Sequence, residues 1–287
     1  MKLAFYCTIV AACGGTSRPS NELLVIDGEP ALVGDGVSSE YTEIRLAVSP
    51  DGARRLWGST DRPGGPGGWD IWQTRKTASG WSAPESAGFN SSENDFDPAF
   101  SADGAFVYFF SNRPGGAGGD DIYRAPVTAD GFGAVEHLGP EINTAGNEWA
   151  PSPALDGSGL LFATNRVPGK HDLYFAASRG PGFAAAAPLP GAVNTEGNDE
   201  LDATFLDDGA SIVFARSTDV DNDPIELYVA RRGTAGYNAG TRLTVNVPGG
   251  YTLGPAIDLH DRRVLYISSK RTAPSAGKLD IYRVRIR

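Results

Sequence analysis

Four carboxylates stand in step along this chain. Glu43, Asp95, Glu148 and Glu200 each precede the aspartate of an Asp-Gly pair by eight residues, the pairs being Asp51-Gly52, Asp103-Gly104, Asp156-Gly157 and Asp208-Gly209. A degenerate fifth copy at His260-Asp261 puts Leu253 in the corresponding place. A ring of four acids would attract a cation or a basic stretch of a partner protein. The competing role is structural: Arg62, Arg113 and Arg166 recur in step as well, and each acid would bond one of them and fix one unit to the next. Asp97 and Asp202 lie two residues beyond ring positions. Glycoside hydrolysis needs two carboxyls about 5–9.5 Å apart in different environments. Here the acids repeat unit by unit, nothing separates an acid from a base, and catalysis is not expected.

Other groups are weaker candidates. Asp219, Asp221 and Asp223 alternate like the oxygen ligands of a Ca²⁺ loop, but Pro224 takes the place of the turn glycine and Ala230 that of the closing glutamate. A solvated acidic hairpin is the competing reading, and no other cofactor is expected. His137, His171 and His260 occupy different slots and are expected as exposed loop residues. Trp69 and Trp149 would either stack on a sugar or cover an edge. The runs RPGGPGG and RPGGAGG lack the Gly-Lys-Ser/Thr and the helix of a phosphate loop, so their glycines belong to hairpins. There is no Gly-x-Ser-x-Gly elbow.

The elements that carry these residues repeat about every 52 residues, the mark of stacked supersecondary units. An acidic-aliphatic-aromatic triplet follows each turn: Asp70-Ile71-Trp72, Asp121-Ile122-Tyr123, Asp172-Leu173-Tyr174, Glu226-Leu227-Tyr228 and Asp280-Ile281-Tyr282. A Gly-aromatic pair opens a fourth strand in four units, at Gly80-Trp81, Gly131-Phe132, Gly182-Phe183 and Gly236-Tyr237. Each unit reads as a four-stranded antiparallel meander. In the second, strands are expected at 97–101, 106–111 and 121–125, with a fourth that follows Phe132 and ends at Leu138. The fifth unit stops after its third strand at Arg287, and the segment 22–33 (ELLVIDGEPALV) stands where a missing fourth strand would be supplied. Five units and one donated strand predict an all-β, five-bladed propeller, closed without long free edges. Six blades, the alternative, would need about 50 more residues. Inner strands of such a disc line its channel, which would gather Glu43, Asp95, Glu148 and Glu200 at one mouth as a partner-binding surface.

The motifs SPDG and SADG, SNRPGGAGGDDIY, and LGPEINTAGNEWAPSPALDG resemble the TolB-like, WD-repeat-like β-propeller family over residues 37–287. The fourth unit departs from the pattern with STDVDNDP, and the fifth loses the acid and the Asp-Gly turn. The resemblance implies a bacterial envelope protein acting as a binding platform, without enzymatic activity of its own. Its partner would be another envelope protein, peptidoglycan-associated in some family members. A carbohydrate-binding or carbohydrate-active propeller is the alternative.

Composition bounds these readings. The 287 residues carry 40% hydrophobic residues and a net charge of -10, which disfavours nucleic acid and anionic membrane surfaces. The opening MKLAFYCTIVAAC resembles a lipoprotein signal, with residues 1–12 as signal peptide, Cys13 as the lipidated residue and 13–20 as a tether to a propeller over 21–287. The expected setting is the periplasmic side of the outer membrane, or the periplasm or secreted space, with the membrane touched only through the lipid. A monomer is expected.

Overall fold

Each Asp-Gly pair makes the tight reversal that its glycine permits: Gly52, Gly104, Gly157 and Gly209 sit at φ of 68°, 72°, 75° and 64°. The computed structural model describes residues 24–287, so the expected signal segment, Cys13 and the whole tether lie outside the described residues, as do residues 21–23 of the expected propeller. Within them the chain is all strand and turn, with no helix. An N-terminal strand, β1 (Ile26–Leu32), precedes five antiparallel sheets. Blade one holds β2 (Thr42–Val48), β3 (Arg54–Thr60), β4 (Trp69–Thr77), β5 (Gly80–Trp81) and β6 (Glu85–Ser86). Blade two holds β7 (Asp95–Phe100), β8 (Phe106–Ser111), β9 (Asp121–Pro126) and β10 (Glu136–His137). Blade three runs β11 (Glu148–Pro153), β12 (Gly159–Thr164), β13 (Asp172–Arg179), β14 (Gly182–Phe183) and β15 (Ala187–Pro188). Blade four runs β16 (Asp199–Phe205), β17 (Ser211–Ser217), β18 (Glu226–Gly233), β19 (Gly236–Tyr237) and β20 (Thr241–Arg242). Blade five has β21 (Thr252–Ile257), β22 (Val264–Ser269) and β23 (Asp280–Ile286), and β1 pairs with β23 as its outer strand. The five-bladed propeller and its closure by the N-terminal strand are therefore as expected.

Two details differ. In three blades the outer strand is split: a Gly-aromatic piece continues the hairpin, and a second two-residue piece rejoins the third strand closer to the other face. The first strand of blade two begins at Asp95 rather than Asp97. Its β8 spans Phe106–Ser111, as the pattern FVYFFS predicts.

The core lies between blades, because a radial sheet turns its faces to its two neighbours. Leu56 and Ile71 of blade one pack with Val107 and Phe109 of blade two, and Phe110 and Ile122 with Leu160 and Phe162 of blade three. Each fully buried side chain of this kind stabilises the ring by about 1.5–3 kcal/mol. The meander puts the Asp-Gly turns on one face of the disc, here the turn face. The glycine-rich hairpins and the inter-blade connectors lie on the other, the connector face.

Candidate functional site

The four stepped acids are buried, each with relative exposure of 0%. They meet the connector entering their own blade. The backbone N–H of Ser39 donates to Glu43 (3.0 Å), that of Ser91 to Asp95 (2.6 Å), that of Thr144 to Glu148 (2.9 Å) and that of Thr195 to Glu200 (3.0 Å). Arg113, Arg166 and Arg216 approach the last three acids at 2.5, 3.5 and 2.7 Å. Arg62, Arg113, Arg166, Arg216 and Arg271 also donate to connector carbonyls, at Gly36, Phe89, Ile142, Val193 and Val245. Burial pushes Glu43 and Glu200 above the usual carboxylate range despite these donors. The expected partner-binding ring is thus corrected: the oxygens are spent on joining connector to blade, and a partner on the disc surface meets none of them. The fifth position is corrected too. Blade five has a turn one residue longer, so Thr252 rather than Leu253 pairs opposite Ser269 and accepts the Val247 N–H (3.2 Å). Asparagines one step earlier complete the joint, Asn143 accepting from Ile122 N–H (2.8 Å) and donating to Ile122 C=O (2.9 Å). Asn90, Asn194 and Asn246 repeat that pair of bonds.

Every inner strand slips register once, at a residue in the left-handed region: Arg45, Asp97, Ala150, Asp202 and Gly254, with φ of 52°, 49°, 51°, 51° and 58°. Such a bulge re-aims a side chain that would otherwise lie against a neighbouring sheet. Arg45 reaches from blade one to the carbonyls of Pro151 (3.1 Å) and Ala203 (3.4 Å) on blades three and four. Asp202 accepts from Gly254 N–H of blade five (3.0 Å). Burial, then the neighbouring Asp202 carboxylate, pushes Asp97 up to about 8, and burial raises Asp202. Oδ1 of Asp97 and Nε and Nη1 of Arg45 are buried without a partner. Beside Arg45 on the turn-face side lies a void of about 30 Å³, the size of a water rather than a sugar ring. Asp97 and Asp202 are neighbours, as a shared spacing allowed, and both are buried.

Sequence reasoning missed one constellation on the connector face. His171, expected exposed, is 7% exposed. Its Nδ1 lies 3.0 Å from Asp199, its ring stacks on Trp149 at 4.0 Å, and Nε2 has no partner. Burial raises Asp199, but bonds from the His171 N–H, the ring and Lys170 outweigh it, and the carboxyl ends below its usual range. Trp149 donates to Asp120 (2.7 Å), and Trp69 packs on Phe96 at 4.5 Å, so both tryptophans are spent within the protein. No signal in the sequence separates His171 from an exposed loop residue. The expected Ca²⁺ loop is corrected as well. Asp219 accepts from Asp221 N–H (3.0 Å) and Asn222 Nδ2 (3.0 Å), and Asp223 from Thr218 Oγ1 (2.5 Å). Among the described residues no three of His, Cys, Asp and Glu are grouped to hold a metal ion.

The large open hollows are on the turn face. One of about 570 Å³ lies between blades three and four, walled by Leu155, Phe175, Leu189, Phe205 and Tyr237. A second, of about 520 Å³, lies between blades two and three and shares Ala154, Leu155 and Asp156 with the first. The sequence cause is visible by comparison with blade one. There Arg54 and Arg75 bridge to blade two, donating to the carbonyls of Thr128, Ala129, Asp130 and Gly131 at 2.5–3.2 Å. Blade three has Gly159 and Ala177 in the two corresponding positions, and nothing crosses the cleft from them.

No protein-family model and no curated protein sequence matches the chain. Solved structures match its fold. TolB from Acinetobacter baumannii gives a TM-score of 0.52 at 14% identity, over 86% of this chain and 56% of that one. The chain therefore spans little more than half of that protein's length. A putative TolB from Agrobacterium tumefaciens gives 0.50 at 17% identity, over 85% and 74%. An endo-arabinase from Bacteroides thetaiotaomicron gives 0.50 at 15% identity, over 89% and 97%. At these identities the likeness is one of fold.

Proposed function

We propose that this chain is a non-enzymatic binding propeller of the bacterial cell envelope, which engages a protein partner through the turn face of its disc. The observation that carries the reading is the pair of adjacent, partly apolar hollows astride the third Asp-Gly turn, open where blade one bridges the equivalent cleft with two arginines. Open apolar hollows of a few hundred cubic ångströms mark binding sites more often than idle surface. The lipoprotein-like opening and the fold shared with two TolB propellers support the envelope setting, with Cys13 as anchor on the periplasmic side of the outer membrane. The fold shared with an endo-arabinase raises the carbohydrate-active alternative. Against it, the carboxylates Asp97 and Asp202 are both buried, and neither lines the hollows described above.

The test is affinity capture from an envelope extract by the full chain, beside its Asp156→Trp variant, which adds bulk at the lip of both hollows without adding a positive charge. Asp156 is exposed on the turn between the two hollows, so the change leaves the core alone. A protein retained by the wild type and lost with the variant is the expected result. Equal retention by both, or hydrolysis of arabinan by the purified chain, would overturn the reading.

A further inference from the structure

We infer that the hollow between blades three and four seats an apolar side chain of an extended partner segment, and that an acidic residue beside that side chain meets Arg232. The inference rests on the binding role proposed above and names the chemistry of the segment. Three observations carry it.

The first is what holds the cleft open. In blade one the equivalent cleft is closed by two arginines that span to the outer hairpin of the next blade. Blade three has Gly159 and Ala177 in those two places and therefore neither arm. Gly159 is moreover fixed in that state: a Cβ there would lie 2.4 Å from the Phe175 ring and 2.3 Å from the Ala176 carbonyl. Phe175 instead leans against Phe205 of blade four, edge to face at 6.2 Å, as part of the apolar wall. A hollow of about 570 Å³ is large enough for one or two bulky side chains.

The second is charge. Four charged residues line the hollow: Arg262 is paired with Asp207 at 2.7 Å, and Asp156, exposed on its turn, accepts the Ser158 N–H. The guanidinium of Arg232 has neither an ion pair nor a hydrogen bond among the described residues, although it lines the same cavity. On a chain of net charge -10, an unpaired arginine above an apolar hollow selects a carboxylate.

The third is continuity. The hollow between blades two and three begins on the other side of the Ala154–Gly157 turn, so two hollows follow one another along the same face. A compact free acid uses one of them. An extended chain, which rises about 3.3 Å per residue and turns every second side chain to the same side, can lay alternate side chains into both.

The experiment is fluorescence polarisation with the full chain and a fluorescein-labelled peptide, Gly-Ser-Leu-Phe-Asp-Ser-Gly, beside a twin carrying Lys in place of Asp. The acidic peptide should bind, and Ala177→Arg, which restores the residue blade one carries in this slot, should weaken it about tenfold or more. Arg232→Glu should reverse the preference between the two peptides. Unchanged melting of each variant establishes that it is folded. Ala187→Glu, on the outer strand of the same wall, substitutes for Ala177→Arg if the latter does not fold. Binding that ignores both changes, or no binding of either peptide, overturns the inference. Octanoate binding with the same dependence on Ala177 and Arg232, without peptide binding, would make this a site for a free acid and overturn the polypeptide. A partner captured from the envelope through the other hollow alone would leave the binding role standing and sink this assignment.

Discussion

At the scale of single residues, the axial cluster has a measurable consequence. Asp97 holds its proton in the folded protein up to a pH of about 8, whereas an unfolded aspartate releases it near 3.8. A folded pKa raised in this way stabilises fully below pH 3.8, and the contribution is lost as pH climbs toward 8. Asn cannot ionise and tolerates the left-handed conformation that position 97 adopts, so Asp97→Asn should keep the fold and abolish that loss. Melting temperatures between pH 5 and 8.5 would show it, wild type falling more steeply than the variant. Parallel curves would mean that Asp97 ionises freely in the folded state. The sequence displayed Asp97 and Asp202 at a shared spacing but not their meeting with Arg45, because that depends on a bulge at non-glycine residues. His171 was hidden for a related reason: its neighbours Trp149 and Asp199 lie 22 and 28 residues away and converge only through blade packing.

At the scale of elements, the buried acids act as joints between a connector and the strand that follows it. Glu148 accepts from Thr144 twice and from Thr164, and Arg166 neutralises it from 3.5 Å. Glu148→Ala leaves those donors and a largely buried guanidinium uncompensated, and should cost about 3–5 kcal/mol. Thr252→Ala, at the neutral fifth joint, should cost about 1 kcal/mol. Urea titration of the two variants gives the comparison, and equal costs would show that the charge at the joint contributes nothing of its own. The spacing of the acids, arginines and triplets made the joint visible in the sequence as one of two roles. Which role holds is decided by depth, and the alternation that buries position 148 has the same appearance in a strand whose edge faces an open channel. The Leu253 assignment failed because one extra residue in the turn of blade five shifts the strand register by one.

At the scale of the whole disc, the ring is held shut by a strand from the opposite end of the chain. β1 itself is a poor hydrophobic strand: Asp27, Gly28 and Glu29 are exposed, and of its neighbours only Val33 is buried. Its contribution is to cover β23, which without it becomes an open edge of seven residues reading DIYRVRI. Removing residues 1–32 should therefore do two separable things. The lost apolar burial around Ile26 and Leu32 should lower stability by roughly 3–5 kcal/mol. The uncovered edge should drive concentration-dependent association, since its alternating Ile, Tyr and Val suit strand addition. A synthetic peptide of residues 24–33 added in trans should reverse the association more fully than the loss of stability, because pairing restores the edge while a bimolecular strand must still bear the entropy of being bound. Size-exclusion chromatography across a range of concentrations separates these outcomes. A truncated chain that stays monomeric and melts like the wild type would mean that the ring is closed by blade-to-blade packing alone, with β1 a passenger on its rim.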